Sequence, residues 1–149
     1  MPEVEFTAQS YRRAALEHLR YAGEAHNTGA YFYSHYFSGL SVECMLRAYR
    51  LKISREFDSR HDLYELAKSA RFLNLVPFER QAEYGSKFNI LNLRWRSNQR
   101  YMTEKQLRKY LGDLRADFDK KGDRFKNNSS TIYELAYEIV TLGDRKWTL

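Results

Sequence analysis

The stretch Ala30-Tyr-Phe-Tyr-Ser-His-Tyr-Phe-Ser-Gly-Leu-Ser-Val-Glu-Cys-Met-Leu-Arg-Ala-Tyr-Arg-Leu-Lys52 decides the fold. It contains no proline, and Phe32, Tyr33, Phe37, Leu40, Val42, Cys44, Met45, Leu46, Ala48, Tyr49 and Leu51 spread over two helical faces. A helix that is apolar around most of its circumference is surrounded by other elements. Its polar exceptions are ordered. His35, Gly39, Glu43, Arg47 and Arg50 fall within about 120° of one another at roughly 100° per residue. Glu43 and Arg47 stand i,i+4 with the carboxylate first, the favourable order. One reading is a structural ion pair lining a groove or subunit contact. The other is a ligand cleft, with Arg47 and Arg50 on a phosphate and His35 as donor or acid/base.

Working outward, the flanks also read as helices. Ala8, Tyr11, Ala15, Leu19 and Ala22 recur at steps of three and four from Thr7 to about His26, an amphipathic helix that Gly29 ends. Asp58 or Ser59 is positioned to cap a third helix over about Arg60 to Phe72. Pro77 suits the first turn of a fourth, reaching about Leu93. Thr103 and Gln106 form a capping box that opens a fifth, with Leu107, Tyr110, Leu111, Leu114 and Phe118 as its buried face. Lys120 to Asn128 reads as a polar loop or frayed helix end. Thr131 and Glu134 repeat the box and open a last helix to about Gly143, with Ile132, Leu135, Ala136, Ile139 and Val140 inward. The expectation is an all-α, up-and-down bundle of five to six helices in one domain over residues 1–149, its core about 7–145.

Composition agrees. The 149 residues include 7 Gly and 2 Pro, too few for the turns of an all-β fold, and 43% are apolar, which excludes whole-chain disorder. One cysteine, Cys44, excludes an intramolecular disulfide framework and a multi-cysteine metal site, and its place on the apolar helix predicts a buried, inert thiol. No apolar run is long enough to span a bilayer, and the acidic start is unlike a signal peptide, so a cytoplasmic chain without membrane contact is expected.

The net charge of +6 is local. Arg94 to Lys126 hold 11 Lys/Arg against 5 Asp/Glu, while the other 116 residues hold 14 of each sign. Such a stretch is either a solvated helix face or a surface for a polyanion. It opens with Arg94-Trp-Arg-Ser-Asn-Gln-Arg-Tyr101. There Arg94, Arg96 and Arg100 interleave with Trp95 and Tyr101, a mixture suited to phosphate contact and base stacking, or to a helix end anchored by its Trp. No Gly-x-x-x-x-Gly-Lys, Gly-x-Gly-x-x-Gly, Gly-x-Ser-x-Gly or His-Glu-x-x-His occurs, and the histidines show no metal-ligand spacing with Cys44, so no cofactor is expected.

The run His35 to Tyr49, with Glu43, Arg47 and Ala48 in place, resembles the second helix of HEPN domains. His61-Asp-Leu with Leu66 is similar to that family's His-x-Leu-x-x-Leu entry to the third helix. Trp95 with Arg100-Tyr101 resembles the Trp…Arg-Tyr of its non-toxin, nucleotidyltransferase-associated members. The resemblance spans about residues 7–145. It implies a bundle of four or five helices that homodimerises, often beside a nucleotidyltransferase protein partner; the localised charge makes a nucleotide or RNA the expected ligand. Members that cleave RNA without metal carry Arg, four to six residues, then His at the start of a late helix. Here no histidine follows His61, and the spacing is met by Arg20 with His26 and by Arg55 with His61. Three functions are therefore expected to compete. The first is a non-catalytic binding module using His35, Glu43, Arg47, Arg50, Arg94, Trp95, Arg96, Arg100 and Tyr101. The second is a ribonuclease or toxin using Arg55 and His61. The third is a structural subunit of a defence or regulatory complex.

Overall fold

The computed structural model describes residues 3–56 and 62–148. It is an all-helical bundle with six α-helices and, among the described residues, no strand: α1 Ala8–Asn27, α2 Tyr31–Ile53, α3 Leu63–Ser69, α4 Gln81–Arg94, α5 Glu104–Asp113 and α6 Arg124–Arg145. Short 3-10 turns occupy Phe72–Leu75, Phe78–Arg80 and Ser97–Tyr101.

The apolar Ala30–Lys52 stretch forms the central rod. α2 packs along α1, α3 and α6, and its residues from Ser41 to Tyr49 are all buried. Thr28–Ala30 joins α1 to α2, and Gly29 takes a φ of 82°, a conformation that costs other residues about 1–2 kcal/mol. The main core gathers Ala15 and Leu19 of α1, Val42, Met45 and Leu46 of α2, Leu63 and Leu66 of α3, Phe88 and Leu91 of α4, and Ile132, Ala136 and Ile139 of α6. A second, smaller cluster forms where α5 meets the start of α6: Leu107, Leu111, Ala116 and Phe125, backed by Tyr31 and Phe32 of α2.

The start of α6 departs from expectation. The helix begins at Arg124, not Thr131, because the Asp123 carboxylate accepts from the backbone N–H of Phe125 (2.9 Å) and Lys126 (3.1 Å). Of the polar run read as loop, Lys120–Asp123 is non-helical as expected, while Arg124–Asn128 is helical, and Asn128 with the following Ser129 is buried against partners on α2 and α1. Thr131 is interior and donates its hydroxyl to Asp117 (3.2 Å). α3 is also shorter than the expected 60–72. Asp62 caps it through Glu65 N–H (3.0 Å), and a left-handed Arg71 (φ 53°) turns the chain into the 3-10 segment carrying Phe72. The caps expected at Asp58 or Ser59 lie outside the described residues. α4 starts one 3-10 turn beyond Pro77. α5 has the expected capping box, Thr103 with Gln106, but ends at Asp113, so Leu114 and Phe118 are exposed rather than inward.

Gly39 explains how the chain after α4 reaches α2. A Cβ placed there would lie 2.1 Å from Trp95 Cδ1. Trp95 is 1% exposed, stacks on Tyr36 at 5.9 Å, and donates its indole N–H to the Tyr36 carbonyl (3.0 Å). Overpacking at such a contact costs about 1–3 kcal/mol. Gly39→Ala is therefore expected to lower the unfolding free energy by about 3 kcal/mol in urea titration. A loss below about 0.5 kcal/mol contradicts a tight Gly39–Trp95 seat.

Candidate nucleic-acid interface

The polar stripe of α2 folds inward. His35 is fully buried and both ring nitrogens are engaged. Nε2 faces two carbonyl oxygens, Gln99 Oε1 (3.0 Å) and Arg94 O (3.2 Å), so it carries the proton. Nδ1 accepts from Asn128 Nδ2 (2.8 Å). Gln99 Nε2 also donates to Arg94 O (2.9 Å), and Asn128 Oδ1 accepts from Arg94 NH1 (3.4 Å), which fixes both amides in matching orientations. Burial pushes the His35 pKa down to about 4, with the Arg94 cation adding slightly and the Gln99 and Arg94 carbonyl bonds opposing. The imidazole is neutral at physiological pH.

Arg94 extends the network. Its guanidinium reaches the buried Asp117 carboxylate at 2.9 Å, and Asp117 also takes the Thr131 hydroxyl and lies 3.3 Å from Lys120. Farther along α2, Arg47 Nε lies 3.2 Å from Glu43 Oε2, and both side chains are nearly buried. Arg50 is half-buried on the same helix. His26 sits between the Ser129 hydroxyl (2.7 Å) and that of Ser130 (3.2 Å). Burial pushes the Cys44 thiol up to about 12, with Glu43 adding to it, which keeps it protonated.

The Arg94–Tyr101 stretch is thus divided. Arg94 and Trp95 point into the bundle, while Arg96, Arg100 and Tyr101 are exposed, Arg100 lying 4.7 Å from the Tyr101 ring centroid. Trp95 presents no face to a base in this arrangement. Arg55 is exposed after α2, and His61 lies outside the described residues. Among the described residues no group of His, Cys, Asp and Glu could hold a metal ion, and no helix is long and apolar enough to cross a membrane.

The remaining charge of the basic stretch is outward. Lys105, Arg108, Lys109, Arg115, Lys120, Lys121, Arg124 and Lys126 are all exposed on α5, the following turn and the first turn of α6. Lys109 pairs with Asp113 and Lys120 with Asp117, but Arg115, Lys121, Arg124 and Lys126 form no ion pair among the described residues. Sequence reading located this region by charge but singled out none of Arg108, Arg115 and Arg124. No family model matches the chain, and neither a curated protein nor a solved structure matches it.

The buried neutral imidazole makes stability pH-dependent. The unfolded chain protonates this histidine below about pH 6.5 and the folded chain only near 4, so stability falls as pH drops through that window, by up to about 3 kcal/mol. Urea midpoints from pH 7 to 4 are expected to fall less steeply for His35→Gln than for the wild type. Parallel profiles contradict the depressed pKa.

Proposed function

We propose that the chain is a non-catalytic, HEPN-like binding module that takes RNA or a nucleotide on its α5–α6 face and acts as a homodimer. The observation that carries this reading is the distribution of charge. One 33-residue stretch holds the entire net +6, and nearly all of its cations face solvent. Neutralising phosphates with such cations releases condensed counterions, the main source of affinity for a nucleic-acid strand. The histidines on α1 and α2 at positions 26 and 35 are occupied by structural hydrogen bonds, which favours binding over general acid–base chemistry. Exposed Tyr21 and Tyr33 surround Phe37 on the α1–α2 side, an aromatic face suited to a second copy.

Fluorescence anisotropy with a single-stranded RNA 12-mer tests the reading. Affinity is expected to fall with salt with a log–log slope of about −2 to −3, as for three or four phosphates at about −0.7 each. Lys121→Glu with Lys126→Glu should weaken binding at least tenfold. An acidic protein as the true occupant predicts no RNA binding at 50 mM salt, and that result rejects the proposal.

A further inference from the structure

The basic face is not uniform. Between the C-terminal end of α5 and the first turn of α6 lies a cavity of about 260 Å³. Three arginines line it, Arg108, Arg115 and Arg124, with Leu111 and Phe125 as apolar wall and the buried Asn128 at its inner side. No carboxylate lines it. Arg108 lies 4.2 Å from the Phe125 ring centroid and 3.6 Å from Glu104, which orients one guanidinium. Arg115 and Arg124 have no anionic partner among the described residues.

The backbone supports the same spot. α5 ends in a Schellman motif, with Ala116 N–H on Leu111 O (3.1 Å) and Arg115 N–H on Gly112 O (3.0 Å). The left-handed position of that motif normally belongs to glycine, yet Arg115 occupies it at φ 56°. A disfavoured backbone conformation is thus kept at a residue that lines the cavity, its guanidinium lying 5.7 Å from the Phe118 ring centroid. Asp117, also left-handed at φ 54°, anchors the turn through its buried contacts with Arg94 and Thr131. The α6 N-terminus itself is not the attraction, because Asp123 already caps it.

We propose that this cavity binds a terminal phosphate monoester: the 5′-phosphate of an RNA strand or of a free nucleotide. A monoester carries about −1.5 to −2 charge at neutral pH and three acceptor oxygens, against the single charge of an internal phosphodiester. Three arginines in a small, one-sided cavity match the former, since guanidinium forks bind such oxygens in pairs. Ligand clefts for larger molecules run to about 300–1,000 Å³, so this one takes a phosphate and its immediate substituent rather than a run of stacked bases. The proposal rests on the nucleic-acid reading of the basic face and adds end selectivity to it.

The test compares a 5′-phosphorylated RNA 12-mer, the same strand with a 5′-hydroxyl, and adenosine 5′-monophosphate, on the full chain at 150 mM salt. The phosphorylated strand is expected to bind at least tenfold tighter than the hydroxyl strand. Arg115→Gln with Arg124→Gln should erase that difference and weaken the hydroxyl strand less than threefold. Gly112→Glu serves as a second variant, because a side chain there meets open space and the fold tolerates it. It should also erase the difference. Monophosphate binding that these variants abolish, without end discrimination, identifies the free nucleotide as the source. Salt-dependent binding of both strands with equal affinity, and none of the monophosphate, overturns the cavity proposal and leaves the basic-face reading standing. No binding of any probe overturns both.

Discussion

A histidine sealed in the middle of a helical bundle has to be neutral and has to have both nitrogens satisfied, because an unpaired buried polar group costs about as much as several good contacts return. His35 meets that requirement with groups from two distant segments. Its Nε2–H joins α2 to Gln99 and the Arg94 carbonyl, and its Nδ1 joins α2 to Asn128 of α6. One helical turn on, Gly39 removes the side chain that would keep Trp95 out. Together these contacts fix where the chain after α4 lies and where α6 begins. Asn128 and Arg94 pass the constraint on to Asp117, and through it to Thr131 and Lys120. The turn between α5 and α6 is therefore pegged to the core by a buried carboxylate, although two of its three positive-φ residues, Arg115 and Asp117, carry side chains.

This arrangement sorts charge by role. Glu43 and Arg47 on α2, and Arg94 with Asp117, form ion pairs in largely buried surroundings, where each partner depends on the other. The arginines and lysines of α5, the turn and the α6 start stay in solvent. A stretch that is uniformly basic in sequence becomes one structural arginine and a surface of interaction-ready cations. The α2 stripe and the α5–α6 face thus separate the tasks of holding the fold and meeting a polyanion.

Much of the fold was legible where signals are local. The all-round apolar pattern identified α2 as central, and Thr103 with Gln106 marked the start of α5, because a capping box is made within four residues. The start of α6 was not legible. Asn128 looks like a loop residue; the Asp123 cap makes it and Ser129 helical, and their partners His35 and His26, about a hundred positions earlier, account for their burial. Trp95 read equally well as a stacking platform and as an anchor, since its burial depends on the missing side chain of Gly39 on another helix. The cavity was visible only as regional charge. Arg108 lies on α5, Arg115 beyond its end and Arg124 on the next helix, and the turn that brings them together uses an arginine where glycine is the usual signal.

The division between structural stripe and binding face can be read residue by residue. Backbone amide shifts of the labelled full chain, followed by NMR while single-stranded RNA is added, test it most directly. The largest perturbations are predicted along Leu107–Lys126, with Glu43 to Arg50 of α2 unmoved. Perturbations centred on Glu43, Arg47 and Arg50, with the α5–α6 residues unchanged, would contradict it.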